Sequence, residues 1–226
     1  MQEKKAAIYH YTDGSTKRPK IYENHLQDLC QYAAAQGFIV TDIFCDKSLQ
    51  KNKHTEFNRF IANCADYDVL VTEDFHHICK NTMQCIKTMK ELSAQGISVY
   101  SKKDGIFTFQ LPPLDLSLKV ATYNCRFGPP NDLKQIIAVQ NDIFKLFVKQ
   151  KTNWTIIDQF TDESESQNNG EQTNLQRLIS NRGNYDLLLV HNLNDVHWRT
   201  SNFCKARESL KLDIYSLQDG FLKYNK

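Results

Sequence analysis

Glycine is scarce in this chain, 8 residues in 226, about half of the ~7% usual in globular proteins. Neither G-x-G-x-x-G nor G-x-x-x-x-G-K-[ST] occurs, which excludes the glycine-built phosphate cradles of nucleotide-binding proteins. The seven cysteines, at 30, 45, 64, 79, 85, 125 and 204, form no C-x-x-C pair and no framework spacing. An odd, scattered set fits reduced thiols that act mostly as small core hydrophobes, and hence a cytoplasmic protein. No stretch approaches the ~18 apolar residues of a membrane span, and residues 1–5 lead into a short strand instead of a secretory leader. Charge of one sign is also lacking. Lys+Arg 28 against Asp+Glu 26 gives +2, and each half, 1–113 and 114–226, carries 14 basic and 13 acidic residues. The strongly basic face of a nucleic-acid binder is not visible.

What is present is enough apolar material, 41% of residues, to bury real cores, in a length that suits two small domains. The chain repeats itself. Ile97-Ser98-Val99-Tyr100-Ser101 followed by Asp104-Gly105 returns as Leu212-Asp213-Ile214-Tyr215-Ser216 followed by Asp219-Gly220. Tyr67-Asp68-Val69-Leu70-Val71 returns at 185–190, Thr55–Ile61 at 173–179, and Phe44-Cys45-Asp46 as Phe160-Thr161-Asp162. Tyr9 and Gly14 match Tyr123 and Gly128. The matches keep one order and a nearly constant offset, the signature of a tandem repeat. The boundaries expected are a first copy over 1–106, a linker over 107–118 marked by Pro112-Pro113, and a second copy over 119–226.

Within each copy, short β-branched or aromatic runs alternate with helical periodicity. Strands are predicted at 6–11, 38–45, 68–72 and 97–101, then at 120–125, 154–160, 186–191 and 212–216. Between them Leu26, Leu29, Cys30 and Ala33 share one helix face, as do Phe57, Phe60, Ile61 and Cys64, and a third helix over 83–94 carries Ile86 and Met89 or Lys90. In the second copy the first helix has Ile136, Ile143, Phe144 and Phe147 as its inward stripe. The fold class is therefore α/β: two three-layer α/β/α domains, each with a mainly parallel sheet.

With the opening Tyr9 and Tyr123, the strand-end Asp46 and Asp162, the helices after Thr55 and Thr173 and the Tyr-Ser strand ends at 100–101 and 215–216, each copy resembles the N-terminal catalytic domain of the serine recombinases, the resolvases and invertases. The resemblance implies a resolvase-like fold for both copies. In that family a serine attacks a DNA phosphodiester while arginines stabilise the developing charge. Here the position of the serine holds Asp13 in the first copy and Phe127 in the second. The arginine two residues earlier is replaced by Tyr11 and Cys125. The arginine of the family's Arg-Pro is replaced by His54 and Gln172, and the two later arginines by His77 with Lys80 and by Asp195 with Trp198. Shifting the match by one residue brings in Thr12 or Arg126 without restoring the set.

These substitutions imply a catalytically degenerate, non-enzymatic protein with two vestigial pockets: Tyr11, Asp13, Asp46, His54, His77 and Lys80 in the first copy, and Cys125, Phe127, Asp162, Gln172, Asp195 and Trp198 in the second. No cofactor is expected. Asp13, Asp46, His54 and His77 suit Zn²⁺ or Mn²⁺ by donor type, against the plainer reading of a disused site drifting into polar residues. Trp198-Arg199 is either an anchor for a protein partner or a filler of the space an arginine left. Lys47, Lys51, Lys53 and His54 form a small basic loop, a DNA contact or a solvated turn. Beyond Gly220 only residues 221–226 remain, so neither the family's long dimerisation helix nor a DNA-reading module is expected. A protein partner, with a serine recombinase among the candidates, is the leading expectation. The alternative is a recombination enzyme with a displaced nucleophile such as Thr12 or Ser15, or a DNA-binding accessory; a membrane role is not expected.

Overall fold

Ala6, Ala7, Ile8 and Tyr9 are all fully buried, the pattern of a strand paired on both sides and covered on both faces. They lie at the centre of the first of two sheets. The computed structural model describes residues 3–12, 19–47, 54–112, 116–127, 130–164 and 172–225, and the chain divides into two compact units, Met1–Phe107 and Thr108–Lys226.

The first unit runs β1 (Lys4–Thr12), α1 (Pro19–Ala35), β2 (Phe38–Lys47), α2 (Thr55–Ala62), β3 (Val69–Thr72), α3 (Thr82–Ala94), β4 (Ser98–Ser101) and β5 (Gly105–Ile106). Its sheet has the order β2-β1-β3-β4-β5, parallel apart from the short β5, which closes an antiparallel hairpin with β4. Strand parity separates the two faces. Ala6, Ile8, Val69 and Val71 pack on Leu29 and Ala33 of α1, while Tyr9, of opposite parity to Ile8, meets Phe57 of α2 with ring centroids 5.0 Å apart.

The second unit runs β6 (Thr108–Gln110), β7 (Leu118–Phe127), α4 (Pro130–Lys149), β8 (Trp154–Ser164), α5 (Thr173–Ser180), β9 (Leu187–Val190), α6 (Thr200–Leu210), β10 (Asp213–Ser216) and β11 (Gly220–Lys223). Its sheet order is β6-β11-β10-β9-β7-β8. Read from β8, this is the order of the first sheet with one strand added. Both sheets also slip register at the same point. A bulge falls between Ala6 and Ala7 against β2, and another between Val120 and Ala121 against β8.

The same short contacts hold each unit together. Lys5 N donates to Asp68 and Lys119 N to Asp186, each at 2.8 Å. Asp104 accepts from Phe75 N, and Asp219 from Leu193 N, again each at 2.8 Å. Each of these last aspartates ties its hairpin to the turn that follows the central parallel strand, and each is followed by a glycine with φ near +80°, a backbone shape that side chains resist.

Three expectations need correction. The segment 107–118 is not all linker. Phe107 is buried against Phe75, centroids 4.3 Å apart, and Thr108–Gln110 forms β6, antiparallel to β11. Pro112 and Pro113 cannot join a ladder, but Thr108–Gln110 can, and β11 offers an open edge. The inward stripe of α4 is also mis-phased. Leu133, Ile137, Phe144 and Val148 are buried, whereas Ile136 and Ile143 are exposed. In α2, likewise, Phe57 and Phe60 are buried and Ile61 is exposed. Among the described residues no helix is long and apolar enough to cross a membrane.

Candidate functional site

In both units the ends of the central strands, the start of the second helix and the turn after the central parallel strand converge. That is the carboxyl edge of a parallel sheet, where ligands of such folds bind. Asp46, at the end of β2, sets the local geometry of the first unit. Its Oδ1 accepts from Glu56 N at 3.0 Å and its Oδ2 from Phe57 N at 3.1 Å, satisfying two orphan donors of the α2 N-terminus. Tyr9 Oη donates to Oδ2 at 3.2 Å and lies 3.0 Å from His54 Nδ1. With its proton committed to Asp46, the phenol takes the His54 Nδ1–H as an acceptor. Burial and the Asp46 charge push the Tyr9 pKa far above its usual value, so it remains a neutral donor.

Tyr11 continues the strand and sits between two imidazoles, with its ring centroid 5.8 Å from His54 and 5.8 Å from His77. His77 lies in a short turn capped by Asp74, which accepts from His77 N at 3.0 Å. Burial lowers the His77 pKa in spite of Asp74, so the ring is neutral at pH 7. Tyr11, His54 and Lys80 line a cavity of about 470 Å³ together with Lys47, Phe57, Cys79, Asn81 and Gln84. His77 backs it through Tyr11, and Asp46 stands behind it through Tyr9. Asp13, Ser15, Lys51 and Lys53 lie outside the described residues.

Of the candidate metal ligands Asp13, Asp46, His54 and His77, the first lies outside the described residues and the other three are placed as above. Asp46 already holds three donors, and His54 Nδ1 is turned to Tyr9. Among the described residues no group of three or more His, Cys, Asp or Glu side chains could hold a metal ion.

The second unit repeats the frame with other side chains. Asp162 accepts from Asn174 N at 2.9 Å, Leu175 N at 3.0 Å and Tyr123 Oη at 2.9 Å. Gln172 stands where His54 stands, donating to Tyr123 Oη at 3.2 Å and to Val196 O at 2.8 Å. Cys125, Phe127, Gln172, Asp195 and Trp198 line a cavity of only about 20 Å³, room for roughly one water. Asp162 stays outside it, engaged with α5. Burial raises the Cys125 pKa, so this residue is a thiol and a poor nucleophile.

Arg126 enters the family match only when that match is shifted by one residue. It follows Cys125, so its side chain leaves the opposite face of β7. Its guanidinium pairs with both oxygens of Asp195, with Nη2 3.3 Å from Oδ2, and donates to Gln140 Oε1 and to its neighbour's carbonyl, Cys125 O, each at 2.8 Å. Asp195 is buried, and burial pushes its pKa up against the pull of Arg126. Outside this cluster, Arg199 lies 4.7 Å over the Trp198 ring.

Residues 9–117, which span most of the first unit, match the family model described as Resolvase, N terminal domain. None of the curated proteins compared matches the chain. Among solved structures, the N-terminal catalytic domain of TP901-1 integrase is 19% identical, with 46% of this chain and 80% of that chain covered and a TM-score of 0.40. A resolvase family site-specific recombinase from Streptococcus pneumoniae is 14% identical over 46% of this chain and 75% of its own, TM-score 0.39. A Caulobacter myo-inositol binding protein is 12% identical over 93% of this chain and 74% of its own, TM-score 0.29.

Proposed function

We propose that this chain, whose first unit matches the resolvase N-terminal domain, is a tandem of two resolvase-like domains that have lost the DNA chemistry of a serine recombinase. It acts by binding a protein partner, with a serine recombinase the partner its fold best suits. The tandem reading rests on the shared strand order, the shared bulge and the paired aspartate contacts described above.

The observation that carries the loss of chemistry is the state of the cations. Phosphoryl transfer depends on positive groups aimed at the charge that develops. In the second unit Arg126 is closed into a bidentate pair with Asp195, which lines a cavity of about 20 Å³, and the roomier cavity of about 550 Å³ on the other side of Gln172 is lined by Lys205 and by no arginine. In the first unit the family's arginine positions hold Tyr11, His54, His77 and Lys80, and the His77 ring is neutral. The nucleophile positions offer no activated hydroxyl: Asp13 and Phe127 cannot form the ester, and the buried phenols of Tyr9 and Tyr123 are held protonated.

A second reading is favoured by one feature, the placement of Lys47 and Lys80 on the 470 Å³ cavity of the first unit. Two ammonium groups on one rim suit a phosphate, which makes the chain a DNA-binding accessory without strand cleavage. Two assays separate these readings. Added to an active serine recombinase, the chain changes the recombination rate while leaving plasmid DNA un-nicked by itself. A gel-shift titration that shows duplex binding with a steep salt dependence favours the accessory. Nicking by the chain alone overturns both.

A further inference from the structure

Helix α4 carries two apolar stripes, and only one faces the core. Leu133, Ile137, Phe144 and Val148 are buried, whereas Ile136, Val139, Ile143 and Leu146 are 44%, 54%, 38% and 62% exposed. The exposed set advances by three, four and three residues, the spacing of a seam between two paired helices. The fold itself does not require it. In the first unit Leu29 and Ala33 of α1 occupy the packing places of Phe144 and Val148. On that helix, the positions matching Val139, Ile143 and Leu146 are Asn24, Asp28 and Gln31, all exposed. At these three positions one helix is polar and the other apolar, while Ile136 matches Ile21, and a contiguous exposed apolar stripe on one of two like helices marks an interaction surface.

The ends of the stripe indicate what covers it. Asp132 lies one turn before Ile136, in the first turn of α4, and Lys149 lies in the last turn beyond Leu146. We propose that α4 pairs antiparallel with α4 of a second copy of this chain, about a two-fold axis between Val139 and Ile143. In that arrangement Ile136 meets the second copy's Leu146, Val139 meets its Ile143, and Asp132 at each end meets Lys149. A parallel pairing sets Asp132 against Asp132 and Lys149 against Lys149. The two-fold arrangement is self-complementary in charge, as an isologous dimer interface must be. The stripe runs over eleven residues, Ile136 to Leu146, about 15 Å of helix. A contact of this size sits at the small end of specific interfaces, so the dimer is reversible with a dissociation constant on the order of micromolar.

Sedimentation velocity of the full chain across protein concentrations from about 1 to 200 µM, a range that brackets such an affinity, tests this. The sedimentation coefficient rises from monomer toward dimer for the natural sequence. Val139→Lys with Leu146→Lys stays monomeric throughout, with an unchanged circular dichroism spectrum because both side chains face solvent. Lys149→Asp weakens association by about tenfold through like-charge contact, and adding Asp132→Lys restores it. A natural chain that stays monomeric, or a dimer that persists in the double lysine variant, overturns the proposal. Failure of the charge exchange to restore association overturns the antiparallel register. Should the lysine variant not fold, the charge exchange alone decides.

Discussion

His10 makes the first unit sensitive to acid, to an extent the structure allows to be worked out. The residue is 2% exposed at the centre of the first sheet. Burial, followed by the His77 and His25 rings beside it, lowers its pKa from 6.5 to about 4, with Glu73 pulling weakly the other way. Its ring centroid lies 6.0 Å from that of His25 and 6.3 Å from that of His77. Above pH 6.5 both the folded and the unfolded chain carry a neutral ring, and His10 contributes no pH dependence. Between 6.5 and 4 the unfolded chain binds a proton that the folded chain refuses, so stability falls as pH falls. Below about 4 both states are protonated and the loss levels off. The fall from 6.5 to about 4 removes about 3 kcal/mol across this window. That is a large fraction of the stability of a domain of this size, and the lowered His77 pKa acts in the same direction.

The assay exploits the placement of the two tryptophans, 154 and 198, which both lie in the second unit. Urea unfolding followed by far-ultraviolet circular dichroism reports both units, whereas tryptophan fluorescence reports the second alone. From pH 7.5 to 4.5 the dichroism midpoint of the first unit falls ahead of the fluorescence midpoint. His10→Asn, which installs the residue found at the matching Asn124, flattens that fall. An unchanged slope in the variant, or a His10 ring that titrates near 6.5 by NMR, refutes the reasoning.

Three further outcomes follow from the packing of the second unit. Asp195→Asn removes the counter-charge of the half-buried Arg126 and lowers stability by about 2–3 kcal/mol, while Arg126→Met with Asp195→Leu recovers most of it; thermal unfolding followed by fluorescence checks both. Asp162→Ala leaves two backbone N–H groups of α5 and the Tyr123 hydroxyl without their acceptor, costing about 3 kcal/mol, read from the urea midpoint of the same signal. Lys211 ends α6 with φ of 54°, where the matching position after α3 is Gly96. Lys211→Gly therefore raises stability by about 1 kcal/mol, measured as an upward shift of the fluorescence midpoint.

Much of the fold was legible because its signals are local. Ala6–Tyr9, Val69–Val71 and Leu187–Val190 are apolar runs bounded by polar turns, and a fully buried parallel strand reads that way in one dimension. The Ser-x-x-Asp-Gly repeat was visible too, yet its role was not, since that role depends on the backbone N–H groups of Phe75 and Leu193 arriving from another turn. Asp46 and Asp162 invited a chemical reading for the same reason. Sequence shows a repeated carboxylate, and only strand pairing brings the tyrosine hydroxyls and helix donors that occupy it. Arg126 entered the sequence reading only as a neighbour of Cys125, because one residue along a strand means the opposite face. Helix α4 misled differently. It has two apolar stripes, and periodicity alone cannot say which faces the core. The strand at 108–110 was absorbed into the linker because the prolines after it dominate the local signal.

The central claim, that neither pocket performs recombinase chemistry on DNA, is tested most directly by intact-mass measurement of the full chain after incubation with nicked duplex oligonucleotides and Mg²⁺. The account predicts a single unmodified protein mass and full-length DNA strands. A protein peak heavier by the mass of an oligonucleotide fragment, abolished by Thr12→Ala or by replacement of Ser15, contradicts it.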